Sequence, residues 1–115
     1  MTAAPHFRAQ ARRKVELQVL LRQQRKAWER DARIVDLGLG GACLELGEPL
    51  AAGTEVFIEI RTPTLWDPLL LPGSVAWSRR LFIEAPFRLG VRFLHQNQAS
   101  LLALFDLLGA HGFDL

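Results

Sequence analysis

The sequence predicts an all-β domain, a six-stranded antiparallel β-barrel with a C-terminal α-helix. Three observations carry that reading. Apolar and polar residues alternate along several short segments, the period of a half-buried strand. Gly- and Pro-containing turn signals separate those segments roughly every 8–12 residues, which implies a small antiparallel barrel or sandwich. Only the end of the chain changes to helical spacing. The length, 115 residues, suits one domain with its own core. Half of the residues are hydrophobic and 23% are charged, which excludes a disordered chain.

Residues 1–14 are polar and basic, carry Pro5 and show no periodicity, so a flexible arm is expected there and the folded barrel over 15–115. Alternation begins with Val15, Leu17, Val19 and Leu21 on one face and Glu16, Gln18 and Arg22 on the other. Residues 23–26 turn the chain into a second strand, 27–37, with Trp28, Ala32 and Ile34 on one face. Asp36, Gly38, Gly40 and Gly41 then crowd into six positions. Glycine weakens a strand and is kept where φ must be positive or where another group approaches closely. The corner is therefore either a tight turn or a place where a ligand touches backbone. Ala42, Leu44 and Leu46 alternate with Cys43 and Glu45 in a third strand, and 47–53 reads as a loop. A fourth strand, 54–61, turns Val56, Ile58 and Ile60 inward and Glu55, Glu59 and Arg61 outward. Residues 62–72 contain three prolines and read as a loop with edge pairing at 69–71. Two further strands cover 73–78 and 87–94, with Val75, Trp77, Leu89, Val91 and Phe93 inward. Asn97 reads as the N-cap of a closing helix, whose Leu101, Leu102, Leu104, Phe105 and Leu108 recur at helical spacing, a stripe expected to pack on the barrel rather than to bind a partner.

Composition excludes several functions. The single cysteine, Cys43, rules out an internal disulfide framework and a cysteine-based zinc site, and His6, His95 and His111 have no metal-ligand spacing. The serines Ser74, Ser78 and Ser100 lack a His–Asp pattern, and neither a Walker loop nor GxGxxG is present. The expectation is a non-enzymatic protein without catalytic residues, metal or cofactor. The first residues lack the apolar segment of a secretory signal, and no apolar run is long enough to span a bilayer. A cytoplasmic protein without membrane insertion is expected. A nucleic-acid polymer is disfavoured by Glu16, Glu45, Glu55 and Glu59 on outward faces.

Net charge is only +2 but lopsided. Residues 1–33 hold seven Arg and two Lys against three acids, or +6; residues 34–115 hold five Arg against nine acids, or −4. A basic end on a weakly acidic body points to a local anionic partner. Arg8, Arg12 and Arg13 lie just before the first strand. Guanidinium binds phosphate through a planar fork and fits the O6 and N7 acceptors of guanine. A carboxylate such as Asp36 accepts from the guanine N1–H and N2–H. From the arginines alone, a solvated basic tail is the simpler reading.

Taken in order, the motifs resemble those of the PilZ domain family, bacterial receptor modules for cyclic di-GMP. R-A-Q-A-R supplies the RxxxR motif before the first strand as Arg8 and Arg12, and D-L-G-L-G-G matches [D/N]xSxxG with Asp36 and Gly41. P-L-A-A-G-T-E-V, G-S-V-A-W and R-L-G-V-R-F extend the resemblance over roughly residues 8–108. It implies a PilZ-like barrel binding cyclic di-GMP through Arg8, Arg12, Arg13, Asp36, Gly38 and Gly41. The arm would close over the dinucleotide and create a surface for a downstream protein. The departure is Gly38, which stands where the motif has serine. Losing one neutral hydrogen bond costs about 0.5–1.5 kcal/mol, a change of at most roughly tenfold in affinity. The alternative is a degenerate member that works through protein contacts without nucleotide.

Overall fold

The computed structural model describes residues 13–23, 25–61, 68–94, 102–104 and 106, with the backbone alone for Arg13 and Lys14. Six strands run in chain order: β1 (Arg13–Gln23), β2 (Glu29–Leu37), β3 (Gly41–Leu46), β4 (Glu55–Ile60), β5 (Leu69–Arg79) and β6 (Phe87–Phe93). They close into a barrel in the order β1-β2-β3-β6-β5-β4, every neighbouring pair antiparallel. Closure leaves no strand with an unpaired edge, so a chain this small need not guard one. The expected all-β, six-stranded antiparallel barrel is the observed one.

Alternation fills the interior as the sequence implies. Val19 and Leu21 of β1, Ala42, Leu44 and Leu46 of β3, Val56, Ile58 and Ile60 of β4, and Leu89, Val91 and Phe93 of β6 are buried together. Three departures from simple alternation shape the surface. Lys14 faces Asp36 and Leu17 faces Ile34, so Val15 and Glu16 together oppose Val35. On the other side of β2, Ile34 faces Leu44 and Asp36 faces Cys43, which makes Val35 an extra residue there too. In β5, Val75 faces Val91 and Trp77 faces Gly90, so Ala76 is the extra residue. Such bulges bend a strand and reverse which later side chains face inward.

Several boundaries differ from expectation. β1 starts at Arg13, inside the region assigned to the arm, because Arg13 and Lys14 find partners in Leu37 and Asp36. β5 starts at Leu69 and is not an edge: Ile60 faces Leu69, Ile58 faces Leu71, and Pro72 faces Phe57. Proline is tolerated there because its carbonyl, not a missing N–H, serves the next bond, accepting from Leu94 N–H at 2.8 Å. Trp77, assigned inward, points out because of the bulge at Ala76. Glu59 lies on the outward face but is buried, covered by Arg22 at 3.1 Å and Arg61 at 2.6 Å. Long arginine stems can cover a carboxylate in this way. Helical backbone is present at residues 102–104 and 106, and Leu104 is fully buried in the barrel core. Asn97, Leu101, Phe105 and Leu108 of the expected helix, and the histidines and Trp66, lie outside the described residues.

Candidate functional site

The Gly-rich corner is a tight turn. Gly38 N–H donates to the Gly41 carbonyl at 3.0 Å, reversing the chain from β2 into β3. Gly40 C=O in turn accepts from Phe93 N–H at 2.9 Å, pinning the turn to the end of β6. At Gly41 an added Cβ would stand 2.4 Å from the Val91 carbonyl oxygen, well inside contact distance, and φ there is not positive. The glycine is thus required by the approach of β6. Gly38 is buried and its N–H is spent in the turn.

Asp36 owes its orientation to the bulge at Val35. Ala32 and Ile34 are buried, and unbroken alternation would drive residue 36 into the core as well. The extra residue instead puts Leu37 in the interior, fully buried, and leaves Asp36 half-buried on the outer side. The β1–β2 register then fixes where the N-terminal segment meets the body. Arg13 lies across from Leu37, and Lys14 across from Asp36. The chain therefore enters β1 beside the Asp36–Gly41 corner. Arg8 and Arg12 lie outside the described residues, and of Arg13 only the backbone position at the start of β1 is described.

Next to the corner is a groove of about 200 Å³, lined by Gly40, Gly41, Ala76, Trp77, Gly90 and Arg92 among others. Its floor exists because position 90 has no side chain. A Cβ there would stand 2.2 Å from Trp77 Nε1, so the indole lies directly on the Gly90 backbone. Trp77 is 39% exposed, and the Arg79 guanidinium stacks over its ring at 5.0 Å from the centroid. Arg92, opposite Gly41 in register, is exposed and forms no ion pair with another described residue. Sequence reasoning placed Trp77 inside. The available signal was Gly90, an isolated glycine within a strand pattern, which marks close approach of another group.

A ladder of alternating charge crosses the outer faces of four adjacent strands. Arg33 pairs with Glu45 directly across β2–β3 and with Glu16 at 3.3 Å, and Arg88 pairs with Glu45 at 3.1 Å. The hydrogen bond from Arg33 holds the Glu45 carboxyl below the usual range; burial opposes that shift, and the bond from Arg88 reinforces it. The same hydrogen bond raises Arg33 above its ordinary value. Arg88 is thereby committed to Glu45, which leaves Arg92 as the β6 arginine facing the groove. Among the described residues no group of three His, Cys, Asp or Glu side chains is placed to hold a metal ion.

The fold is shared with several solved structures. The PilZ domain of CeSA from a cellulose-synthesizing bacterium superposes with a TM-score of 0.70 at 17% identity, over 88% of this chain and 97% of that one. The Bacillus subtilis inhibitor of motility, MotI/DgrA, gives 0.67 at 14% identity, over 89% of this chain and 49% of that chain. YcgR from Escherichia coli, solved in complex with c-di-GMP, gives 0.67 at 21% identity, over 88% and 44%. The chain thus spans less than half the length of the last two. No curated protein matches in sequence. A family model, the PilZ domain, matches residues 6–110. With the match covering the whole barrel, the chain belongs to the PilZ domain family, whose members are non-enzymatic binding modules.

Proposed function

We propose that this protein is a cyclic di-GMP receptor in which the basic segment before β1 closes over the nucleotide against the Asp36 corner. The β1–β2 register carries the reading. It starts β1 at Arg13 alongside Leu37, with Lys14 across from Asp36, and the RxxxR motif ends at Arg12, the residue before that start in sequence. Arg8, Arg12 and Arg13 supply phosphate contacts and a fork for the guanine O6 and N7 edge. Asp36 accepts from guanine N1–H and N2–H. Trp77, held on Gly90 and covered by Arg79, forms the margin of the groove that a second guanine would enter. Gly41 serves the site indirectly, by letting the corner pack on β6. Ordering the arm costs entropy, which keeps affinity moderate and makes binding switchable. The closed arm is then a new surface for a downstream protein.

Gly38 favours a second reading, a PilZ-like interaction module that dispenses with nucleotide, since the motif hydroxyl is missing and the Gly38 N–H is already bonded. Titration with cyclic di-GMP, GTP and cyclic di-AMP separates the two. The receptor reading predicts saturable binding of cyclic di-GMP alone. Absence of binding by folded protein leaves the interaction module.

A further inference from the structure

The groove beside the Asp36 corner holds a cation that the proposed clamp leaves unused. The floor carries no side chain at Gly41 and Gly90, and Trp77 and Arg92 stand along it. Three arginines lie on this part of the outer surface, and two are committed. Arg79 stacks over the Trp77 ring at 5.0 Å, and Arg88 is paired with Glu45 at 3.1 Å. Arg92 is exposed and forms no ion pair among the described residues. Gly41 and Ser74, across from it in β3 and β5, carry no charge, and neither do Gly90 and Leu94, two positions away along the chain. The acid in the same row, Glu55, lies one strand farther on, across from Ser74.

The register sets Arg92 against the corner. Asp36 lies across from Cys43, Cys43 from Gly90, and Gly90 from Trp77. Arg92 is two residues on from Gly90 and shares its outward face. Neighbouring strands lie about 4.8 Å apart and alternate residues about 6.7 Å, so the Asp36 and Arg92 Cα atoms stand about 12 Å apart along the sheet. Both side chains are on the outer side, and one ligand made of two linked bases can touch both at once.

We infer that Arg92 is a further ligand contact of the cyclic di-GMP site, a role that rests on the receptor reading: its guanidinium receives the O6 and N7 edge of the guanine that enters the groove beside Trp77. A flat base fits a floor formed by two glycines, and the fork of the guanidinium matches two adjacent acceptors. Adenine offers one acceptor and one donor on that edge, so the same arginine rejects it. Asp36 then takes the donors of one guanine and Arg92 the acceptors of the other. A charge-assisted, bidentate contact exceeds the single neutral hydrogen bond that Gly38 forgoes.

The test is calorimetric titration of wild type, Arg92→Gln and Arg92→Lys with cyclic di-GMP and with its analogue carrying 7-deazaguanine, which lacks the N7 acceptor. Arg92→Gln should bind cyclic di-GMP about tenfold or more weakly than wild type, the worth of a bidentate base contact. Arg92→Lys keeps the charge without the fork and should recover only part of that loss. The penalty for the analogue should be smaller in Arg92→Gln than in wild type, because a residue and the acceptor it serves are not lost additively. All three proteins should melt at the same temperature, since the exposed side chain holds no described residue in place. No binding of cyclic di-GMP by folded wild type overturns the receptor reading and this contact with it. Binding by wild type with Arg92→Gln equally tight overturns the contact alone. Full recovery in Arg92→Lys, or an equal analogue penalty in wild type and Arg92→Gln, also overturns it, by reducing Arg92 to a general positive charge.

Discussion

Gly38 and Gly41 stand three positions apart in one motif and answer to different physics. Gly41 is fixed by packing, because any side chain would meet the Val91 carbonyl oxygen at 2.4 Å, and that backbone atom is tied into β6. Gly41→Ala should destabilise the barrel by about 1–3 kcal/mol, the usual cost of overpacking. Urea denaturation measures it, and a variant as stable as wild type contradicts the assignment. Gly38 raises the opposite question, what a side chain would add. Gly38→Ser restores the motif hydroxyl and should tighten cyclic di-GMP binding by up to about tenfold, the worth of one neutral hydrogen bond. Unchanged or weaker binding by folded Gly38→Ser would mean that no ligand atom waits for that hydroxyl.

At the scale of the strand, alternation located β1, β3, β4 and β6 and nearly all of their core residues, because period two is written directly in residue type. The bulges were not legible. Nothing in I-V-D-L distinguishes a regular strand from one with Val35 inserted, yet that insertion turns Asp36 outward and Leu37 inward. The bulge at Ala76 likewise reversed Trp77. Cross-strand pairing was equally hidden. Glu45 read as a solvated carboxylate, whereas its side chain is only 11% exposed between Arg33 and Arg88. Its carboxyl is held below the ordinary value by the bond from Arg33, so the ladder's contribution is complete above the unfolded pKa of about 4.3 and is lost as pH falls through the lowered value. Arg33 stays charged throughout, since its shift is upward. Glu45→Gln should therefore cost about 1 kcal/mol near neutral pH, a modest amount because both arginines are 41–45% exposed and screened. The gap between wild type and variant should narrow in acid. Thermal melts at neutral and acid pH check this, and a gap independent of pH contradicts it.

For the whole molecule, the closed barrel separates two ends. One end joins the start of β1, the β2–β3 turn and the close of β6, and carries Asp36. The other carries the β1–β2 turn and the apolar β5–β6 tip. The family resemblance implied that Arg8, Arg12 and Asp36 serve one site; the register adds how Asp36 comes to lie across from Lys14, more than twenty positions earlier in the chain. It returns β2 to the point where β1 began. In the proposed receptor, the segment before β1 and the Asp36 corner act together on one nucleotide. Calorimetric titration of cyclic di-GMP into wild-type protein and Arg12→Ala tests it most directly. Saturable binding by wild type and its loss in Arg12→Ala are expected, with both proteins melting at the same temperature. No binding by well-folded wild-type protein, or equal binding by Arg12→Ala, would contradict it.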